Sequence, residues 1–221
     1  MAATTTTTQI QPLLLSLISI SLLLLPAIMA VNSCTDQDSN ATDFIRSNCN
    51  ETLYPDVCYS SLCRYATAVQ QNQAKLARVA VAVSLSKARR ISAYISNHSS
   101  QLNSAALDNG TAAVLKDCKS TFSDAIDQMV RSNREMLHLD LTSQESLQFQ
   151  MNNVQTWMSA ALTNENTCTD EFDDVPDGSV KSDVCDQVEN VSKLTSNALA
   201  LVNRFVAATE AAAPALAPTT S

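Results

Sequence analysis

Residues 184–205, with the sequence VCDQVENVSKLTSNALALVNRF, carry the pattern that decides the fold of this chain. Apolar or small side chains recur here at alternating intervals of four and three residues, at Val184, Val188, Val191, Thr195, Ala198, Val202 and Phe205. This spacing puts all of them on one face of an α-helix, whereas a half-buried β-strand would show a period of two. The stretch is therefore predicted to be an amphipathic helix that buries one face.

Three earlier segments repeat this spacing, and polar connectors separate all four. The segments run over residues 77–95, 115–136 and 147–161. The second opens near residues 108–111, and the third opens at Thr142, which forms a capping-box pattern with Glu145. Helices joined by short loops pack in alternating directions. We therefore predict an all-α fold, an up-down-up-down four-helix bundle over residues 65–209.

Some side chains on these faces are neither aliphatic nor aromatic. Ser84 and Thr195 interrupt two of the apolar stripes, and we predict that their hydroxyls bond to carbonyl oxygens in the core. Met129, Met151 and Met158 fall on the stripes and are predicted to fill the core rather than to bind a ligand.

Composition excludes several classes of fold and function. The chain of 221 residues has a formal net charge of −8 and contains only 2 glycines. Phosphate-binding loops, dinucleotide-binding domains and turn-rich β-sandwiches depend on glycine, so these folds are disfavoured. Nucleic-acid binding needs clustered Lys and Arg on a basic surface, so no nucleic-acid partner is expected.

The two ends of the chain are predicted to lie outside the folded domain. Residues 13–29, LLLSLISISLLLLPAIM, form an uncharged apolar run that is short for a membrane-spanning helix. Residues 1–30 are therefore predicted to be a signal peptide cleaved after Ala30, with no membrane association afterwards. Residues 31–41 are predicted to form a flexible arm, and residues 210–221 a disordered tail rich in Ala, Pro and Thr.

Because the chain is predicted to be secreted, its asparagine sequons are candidate glycosylation sites. There are five Asn-x-Ser/Thr motifs, at Asn40, Asn50, Asn97, Asn109 and Asn190. Asn97 and Asn109 fall in a polar stretch where a loop would expose them, so glycosylation is predicted at one or both.

The chain contains 7 cysteines, at positions 34, 49, 58, 63, 118, 168 and 185. In a secreted protein they are expected to form disulfides, and the odd number leaves at least one unpaired. Their spacing fits no common zinc pattern and only 2 histidines accompany them, so no metal site is predicted.

The predicted bundle selects two disulfides. Cys118 lies near the start of the second helix and Cys168 near the end of the third, which places both at the same end of neighbouring helices. Cys49 and Cys58 lie on either side of a short turn before the bundle. We therefore predict the disulfides Cys118–Cys168 and Cys49–Cys58.

The other cysteines are less constrained. Cys185 lies near the start of the fourth helix and Cys63 at the opposite end of the bundle, so these two are predicted not to pair. Cys34 lies in the N-terminal arm, which leaves a Cys34–Cys63 bridge open.

No catalytic constellation is predicted. His98 falls in a polar connector and His138 near a helix end, and the helical layout brings no Ser/His/Asp or Cys/His/Asp set together. The chain is therefore predicted to be neither an enzyme nor a cofactor-binding protein. A stapled helical bundle is instead suited to presenting a rigid binding surface.

Several segments together resemble the plant family of invertase and pectin methylesterase inhibitors. They are CNETLYP at residues 49–55, Asp117-Cys118 with Phe122, VQTWMSAALT at 154–163, and LTSNALAL at 194–201. The match covers roughly residues 43–206. It implies a four-helix bundle preceded by a short α-helical hairpin, here residues 42–64, and stapled by the two disulfides already predicted.

The resemblance also implies a function. The chain would be an inhibitor protein secreted to the plant cell wall, or apoplast. As a monomer, it would bind pectin methylesterase one-to-one and block the substrate cleft of that enzyme. Inhibition of invertase is the alternative, and a non-inhibitory cell-wall interaction protein is the second alternative. The positions that match the family's contact region are Ser120, Asp124, Asp127 and Thr167. A solvated helix face is the competing interpretation of the two aspartates, and a local hydrogen bond that of Thr167.

Overall fold

The computed structural model describes residue 34, residues 39–101 and residues 108–212, and all regular structure in these ranges is helical. The predicted signal peptide and residues 213–221 of the predicted tail lie outside the described residues. The α-helices are α1 Ser39–Cys49, α2 Pro55–Leu62, α3 Ala66–Val69, α4 Gln73–Gln101, α5 Asn109–Leu137, α6 Gln144–Asp170 and α7 Ser179–Ala212. A 3-10 turn, Cys63–Tyr65, joins α2 to α3.

Helices α4 to α7 form the four-helix bundle that the sequence predicts. Each packs against the next along the chain, and α7 packs back against α4, so α4 and α6 lie on one diagonal of the bundle. Because every neighbouring pair is joined by a short connection, the helices run alternately up and down. The predicted all-α fold is confirmed.

The core is built from the faces that the periodicity identified. In α7, Val184, Val188, Val191 and Val202 are fully buried. Their neighbours in the core include the three methionines at 129, 151 and 158, which are likewise buried, as predicted. Among the described helices, none is long and apolar enough to cross a membrane.

Helix boundaries in the bundle differ from the prediction at the start of α6 and at the end of α4. Helix α6 is capped by Ser143, whose hydroxyl accepts a hydrogen bond from the Ser146 N–H at 3.0 Å. The predicted cap, Thr142, is wrong because its N–H and hydroxyl both donate to the Asp140 carboxylate. At the other place, Asn97 was predicted to lie in a loop, but α4 continues through it to Gln101.

Helix α5 begins as predicted at residues 108–111. The Asp108 carboxylate accepts hydrogen bonds from the Thr111 N–H at 2.9 Å and from the Thr111 hydroxyl at 2.7 Å. Both bonds favour the ionised carboxylate and lower the pKa of Asp108 below its usual range.

A helical hairpin, α1 and α2, packs on the bundle through α7. The Asn197 side chain is buried and closes two hydrogen bonds with Tyr54: its amide donates to the Tyr54 carbonyl at 2.9 Å and accepts from the Tyr54 N–H at 3.1 Å. Seven residues further along α7, Arg204 donates to the Asn48 side chain at 3.3 Å. These contacts fix the turn of the hairpin against the middle of α7.

The N-terminal boundary of the hairpin lies earlier than the predicted residue 42. Helix α1 begins at Ser39, because Ala41 and Ile45 are spaced four residues apart and both are buried against the rest of the domain. Residues 39–41 of the predicted flexible arm are thus helical, and a disulfide ties Cys34 to Cys63.

Three disulfides connect the described cysteines. Cys49–Cys58 closes the hairpin with a Cα–Cα distance of 5.5 Å, and Cys118–Cys168 joins α5 to α6 with a Cα–Cα distance of 4.4 Å. These are the two pairs that the sequence predicts. Cys34–Cys63 realises the pairing that was left open, and Cys185 is a half-buried free thiol.

A polar cluster lies inside the bundle. Glu165 of α6 is fully buried, and its Oε1 lies 3.0 Å from the Thr195 hydroxyl, which is also 3.1 Å from the Val191 carbonyl. Ser84 of α4 bonds to the Thr195 hydroxyl at 3.1 Å. The prediction of a carbonyl partner is thus right for Thr195 and wrong for Ser84, because a second hydroxyl faces Ser84 across the core.

Candidate functional site

The four residues predicted to contact a target enzyme lie on α5 and α6. Ser120, Asp124 and Asp127 are exposed on α5, and Thr167 is half-buried on α6. The Thr167 hydroxyl donates to the Thr163 carbonyl at 3.0 Å, which is the local hydrogen bond considered as its competing interpretation. Its oxygen can still accept a hydrogen bond from a partner.

Two cross-links hold α5 and α6 together along the line where the helices meet, which we call the α5–α6 seam. One is the Cys118–Cys168 disulfide, and the other is a hydrogen bond at 3.1 Å from the Asn164 amide to the Gln128 side chain. Along α6, Thr167 lies between these two cross-links. The same two cross-links therefore fix the position of this side chain relative to α5.

Asp124 and Thr167 lie along this segment of the seam, and the other two predicted residues face away from it. Asp124 lies one helical turn before Gln128 on the same side of α5, whereas Ser120 follows Cys118 by two residues and lies about 160° around the helix from the buried disulfide. Asp127 follows Cys118 by nine residues, which is half a turn around the helix from the buried disulfide. Asp127 therefore faces straight out to solvent.

The end of the seam near the disulfide is acidic. Glu171 is half-buried just after α6, and burial raises the pKa of its carboxyl, with the nearby Asp117 carboxylate adding to the shift. Residues 170–177, which come just after Cys168, contain five Asp and Glu and no Lys or Arg. A partner that contacts this end of the seam would need to supply cations or hydrogen-bond donors.

The described residues offer no reaction centre at this site. They contain no group of three His, Cys, Asp or Glu side chains placed to hold a metal ion. His138 is exposed at the C-terminal cap of α5, 20 residues and about 30 Å along the helix from Cys118. The arrangement is a preorganised polar surface, and such a surface can bind another protein without ordering costs in its backbone.

Two side chains that link the helices, Gln128 and Asn164, were not predicted from the sequence. Gln128 follows Asp124 by four residues and Asn164 precedes Thr167 by three, so each lies on the same helix face as a predicted contact residue. Nothing in their residue types separates them from other surface amides, since a cross-helix partner becomes visible only when both helices are placed.

All five sequon asparagines are exposed, although none lies in a described loop except Asn50. Asn40 and Asn109 lie in first turns, Asn97 in the last two turns of α4, and Asn190 inside α7, where its amide donates to the Asp186 carbonyl at 2.8 Å. Exposure at a helix end leaves the side chain accessible, so the prediction for Asn97 and Asn109 stands.

We expect the protein secreted by plant cells to lose mass when it is treated with a peptide N-glycosidase. Replacing Asn97 and Asn109 with Gln is expected to remove most of that difference, and replacing Asn40 and Asn50 is the matched control. Mass spectrometry of the intact protein measures the outcome. If the untreated variant at 97 and 109 carries as much glycan mass as the untreated wild type, the prediction is contradicted.

Comparison with known proteins identifies relatives of this chain. Residues 43–201 match the family model described as plant invertase/pectin methylesterase inhibitor. A 21 kDa protein of Daucus carota is 40% identical over 76% of this chain and 86% of its own length. Pectinesterase inhibitor 9 of Arabidopsis thaliana is 34% identical over 83% of this chain and 91% of its own length. Pectinesterase inhibitor 10 of the same plant is 35% identical over 80% of this chain, which spans 56% of that relative.

Solved structures agree with the fold. A crystal structure of a pectin methylesterase inhibitor from Arabidopsis thaliana superimposes with a TM-score of 0.51 at 17% identity, covering 76% of this chain and 97% of that one. A mutant form of an Arabidopsis pectin methylesterase inhibitor gives a TM-score of 0.55 at 17% identity, covering 70% and 92%. At this identity the likeness establishes the shared helical fold.

Proposed function

The chain belongs to the plant invertase/pectin methylesterase inhibitor family, and on this premise we propose that it inhibits a plant pectin methylesterase by forming a one-to-one complex that covers the substrate cleft. The main support is the family match over residues 43–201, together with several relatives that are named pectinesterase inhibitors. Because the family consists of inhibitors, the chain itself is not an enzyme. We further propose that the mature protein is a monomer secreted to the cell wall.

The α5–α6 seam is the contact surface that we propose for this complex. Helix α5 has 29 residues, which corresponds to a length of about 44 Å at 1.5 Å per residue. An ordinary protein interface buries about 800 Å² on each partner, and two adjacent helices of this length can supply that area. The disulfide and the Asn164–Gln128 bond hold the two helices in register before the partner arrives.

The polar character of the seam suits a target whose cleft handles a sugar polymer. Thr167 supplies a hydroxyl oxygen and Asp124 supplies a carboxylate, so both side chains can accept hydrogen bonds. A carboxylate that meets a cationic or amide-lined cleft gains charge-assisted hydrogen bonds, which are stronger than neutral ones.

A parallel activity titration tests the proposed function. The purified mature protein is added in increasing amounts to a pectin methylesterase and to a cell-wall invertase, at pH near 5 and near 7. We expect pectin methylesterase activity to fall linearly and to end at one inhibitor per enzyme. Inhibition of invertase alone would replace the proposal with the alternative target. Inhibition of neither enzyme, across several isoforms, would leave a non-inhibitory wall protein.

Replacing both Asp124 and Thr167 with Ala is expected to weaken the complex with pectin methylesterase by about tenfold or more, because two hydrogen-bonding groups at the seam are removed. The matched control is the Thr156→Ala/Asp186→Ala variant. Thr156 also lies on α6 and donates to a carbonyl four residues back, at 2.8 Å, and the Asp186 side chain is exposed on α7.

Inhibition constants and thermal unfolding are measured for both variants. The two are expected to unfold at similar temperatures, since each loses the same kinds of surface group. Equal inhibition constants for the two variants would show that the seam is not the contact surface, even if the protein inhibits the enzyme.

A further inference from the structure

A groove of about 390 Å³ lies between the hairpin and the bundle, away from the α5–α6 seam. One wall is a stripe of α2 and the 3-10 turn that follows it, and the other is a stripe of α4, with both stripes spaced three and four residues apart. Two residues of α7, Asn190 and Leu194, form the third side. The groove has a volume typical of ligand sites.

The lining of the groove is cationic and contains no acidic side chain. Arg64 projects from the hairpin side, and Lys87 and Arg90 lie three residues apart on α4. Three serine hydroxyls and the ring of Tyr65 complete the polar and aromatic part of the lining. The Arg64 guanidinium lies 5.5 Å from the centre of the Tyr65 ring.

The cations of the groove belong to a larger separation of charge. Residues 57–107 contain six Lys and Arg and no Asp or Glu, although the whole chain carries a net charge of −8. Helix α6, which lies diagonally across the bundle from α4, contains no Lys or Arg. The groove therefore lies on the positive side of a chain that is negative overall, and it would attract an anion.

No carboxylate within the described ranges neutralises these three cations. The ion pairs found there are Lys181–Asp177, Lys193–Glu189 and Arg204–Glu51, all outside the groove. Arg64 and Arg90 are exposed and Lys87 is half-buried, so their donors remain available to a ligand. Unpaired guanidinium groups can bind a carboxylate through two parallel hydrogen bonds.

We propose that this groove binds the carboxylates of a linear polyuronate, the demethylated polymer that pectin methylesterase activity produces. Repeated carboxylates on one chain match several cations on two walls. The Tyr65 ring and Leu194 offer apolar surface to the faces of sugar rings, and the serines and Asn190 offer partners for sugar hydroxyls. The proposal rests on the proposed function only for the identity of the polymer. It would hold the inhibitor on demethylated pectin and leave the α5–α6 seam free for the enzyme.

The test measures binding of the full mature chain, secreted from plant cells, to an oligogalacturonate of defined length in the absence of any enzyme. Calorimetric titrations are repeated with the fully methyl-esterified oligomer, with polyglutamate of equal charge, and at rising salt. The groove variant is Arg64→Gln/Lys87→Gln/Arg90→Gln. The matched control, Lys116→Gln/Arg131→Gln/Arg134→Gln, removes three exposed cations of α5 and produces the same net charge.

We expect the oligogalacturonate to bind, the esterified oligomer to bind at least about tenfold more weakly, and salt to weaken binding. The groove variant should lose about tenfold or more in affinity, while the control keeps most of it. Circular dichroism checks that both variants fold, which is expected because none of the substituted residues is buried.

Three outcomes of the titrations would overturn the proposal. They are equal losses in the two variants, equal affinity for polyglutamate and oligogalacturonate, and no binding to the wild-type chain. A glycan found at Asn190 would also overturn it, because the glycan would occupy the groove. Inhibition of the enzyme is measured separately, so a chain that binds the oligomer without inhibiting, or inhibits without binding it, shows which of the two proposals has failed.

Discussion

Replacing Cys118 and Cys168 with Ala is expected to lower the free energy of unfolding by about 4 kcal/mol. The two residues are 50 positions apart, so their disulfide closes a long loop and removes much of the conformational entropy of the unfolded chain. Both cysteines are fully buried, and Ala keeps the site apolar without adding an unsatisfied polar group. Urea unfolding without reductant, followed by circular dichroism, measures the change.

The matched control is the Cys49→Ala/Cys58→Ala variant, which opens a loop of only 9 residues in the hairpin. The same entropy relation gives a loss of about 3 kcal/mol for this pair. The variant at 118 and 168 should therefore be the less stable of the two, and it should also inhibit more weakly because the seam loses one cross-link. A smaller loss of stability than in the hairpin variant would contradict this account of the disulfide.

The free energy of unfolding is expected to fall as pH rises from about 4.5 to about 8, with a contribution from Glu165 of about 1.4 kcal/mol per pH unit. Burial raises the pKa of Glu165 from its ordinary value of 4.5 to about 8, against smaller lowering effects of the Thr195 and Ser192 hydroxyls. Between these two values the folded protein holds the proton and the unfolded chain has released it. The folded state binds more protons there, so raising the pH favours unfolding. Above the folded value both states are ionised, and the contribution stops changing.

The Glu165→Gln variant isolates this contribution. Gln cannot ionise, and it can still bond to Thr195, so the pH dependence due to position 165 should disappear. Near pH 8 the variant should be more stable than the wild type by several kcal/mol, on the order of the integrated slope. The control is Glu145→Gln, an exposed Glu in the first turn of the same helix. Urea unfolding between pH 4 and pH 9 measures all three proteins, and equal pH slopes for wild type and Glu165→Gln would contradict the assignment.

The long helices could be predicted because their buried faces repeat without interruption. Val184 to Phe205 keeps the helical spacing over 22 residues, and the structure buries all seven positions of that stripe. Glu165 continues the stripe of α6, from Met158 through 161 to 168, and the spacing alone marks it as buried. A glutamate is not expected at a core position, although its spacing places it there. Its burial is explained only when α7 brings the Thr195 hydroxyl next to its carboxyl group.

Helix ends were harder to predict because neighbouring polar residues compete for the same role. Thr142 and Ser143 are both suitable N-cap residues. Ser143 caps α6 because the N–H and the hydroxyl of Thr142 already donate to the Asp140 carboxylate. The early start of α1 depends on the burial of Ala41 in the folded domain. Such competition is decided by tertiary packing, which local patterns do not contain.

The candidate contact surface was only partly accessible from sequence. Ser120, Asp124, Asp127 and Thr167 were predicted through the family resemblance, and the structure places Asp124 and Thr167 along one segment of the seam. A protein-binding surface needs no periodic signal, since its residues come from two helices and face solvent. The Asn164–Gln128 bond, which fixes that surface, joins residues 36 positions apart and has no local signature.

The central claim is that the chain keeps pectin out of the cleft of a pectin methylesterase. Initial rates of demethylation, measured over a range of pectin concentrations at several fixed amounts of the mature protein, test it most directly. The account predicts that the apparent KM rises linearly with the free inhibitor from its uninhibited value while kcat stays constant, because inhibitor and substrate exclude each other from one site. A kcat that falls at constant KM would mean that pectin still enters the cleft of the inhibited enzyme, and it would contradict the account.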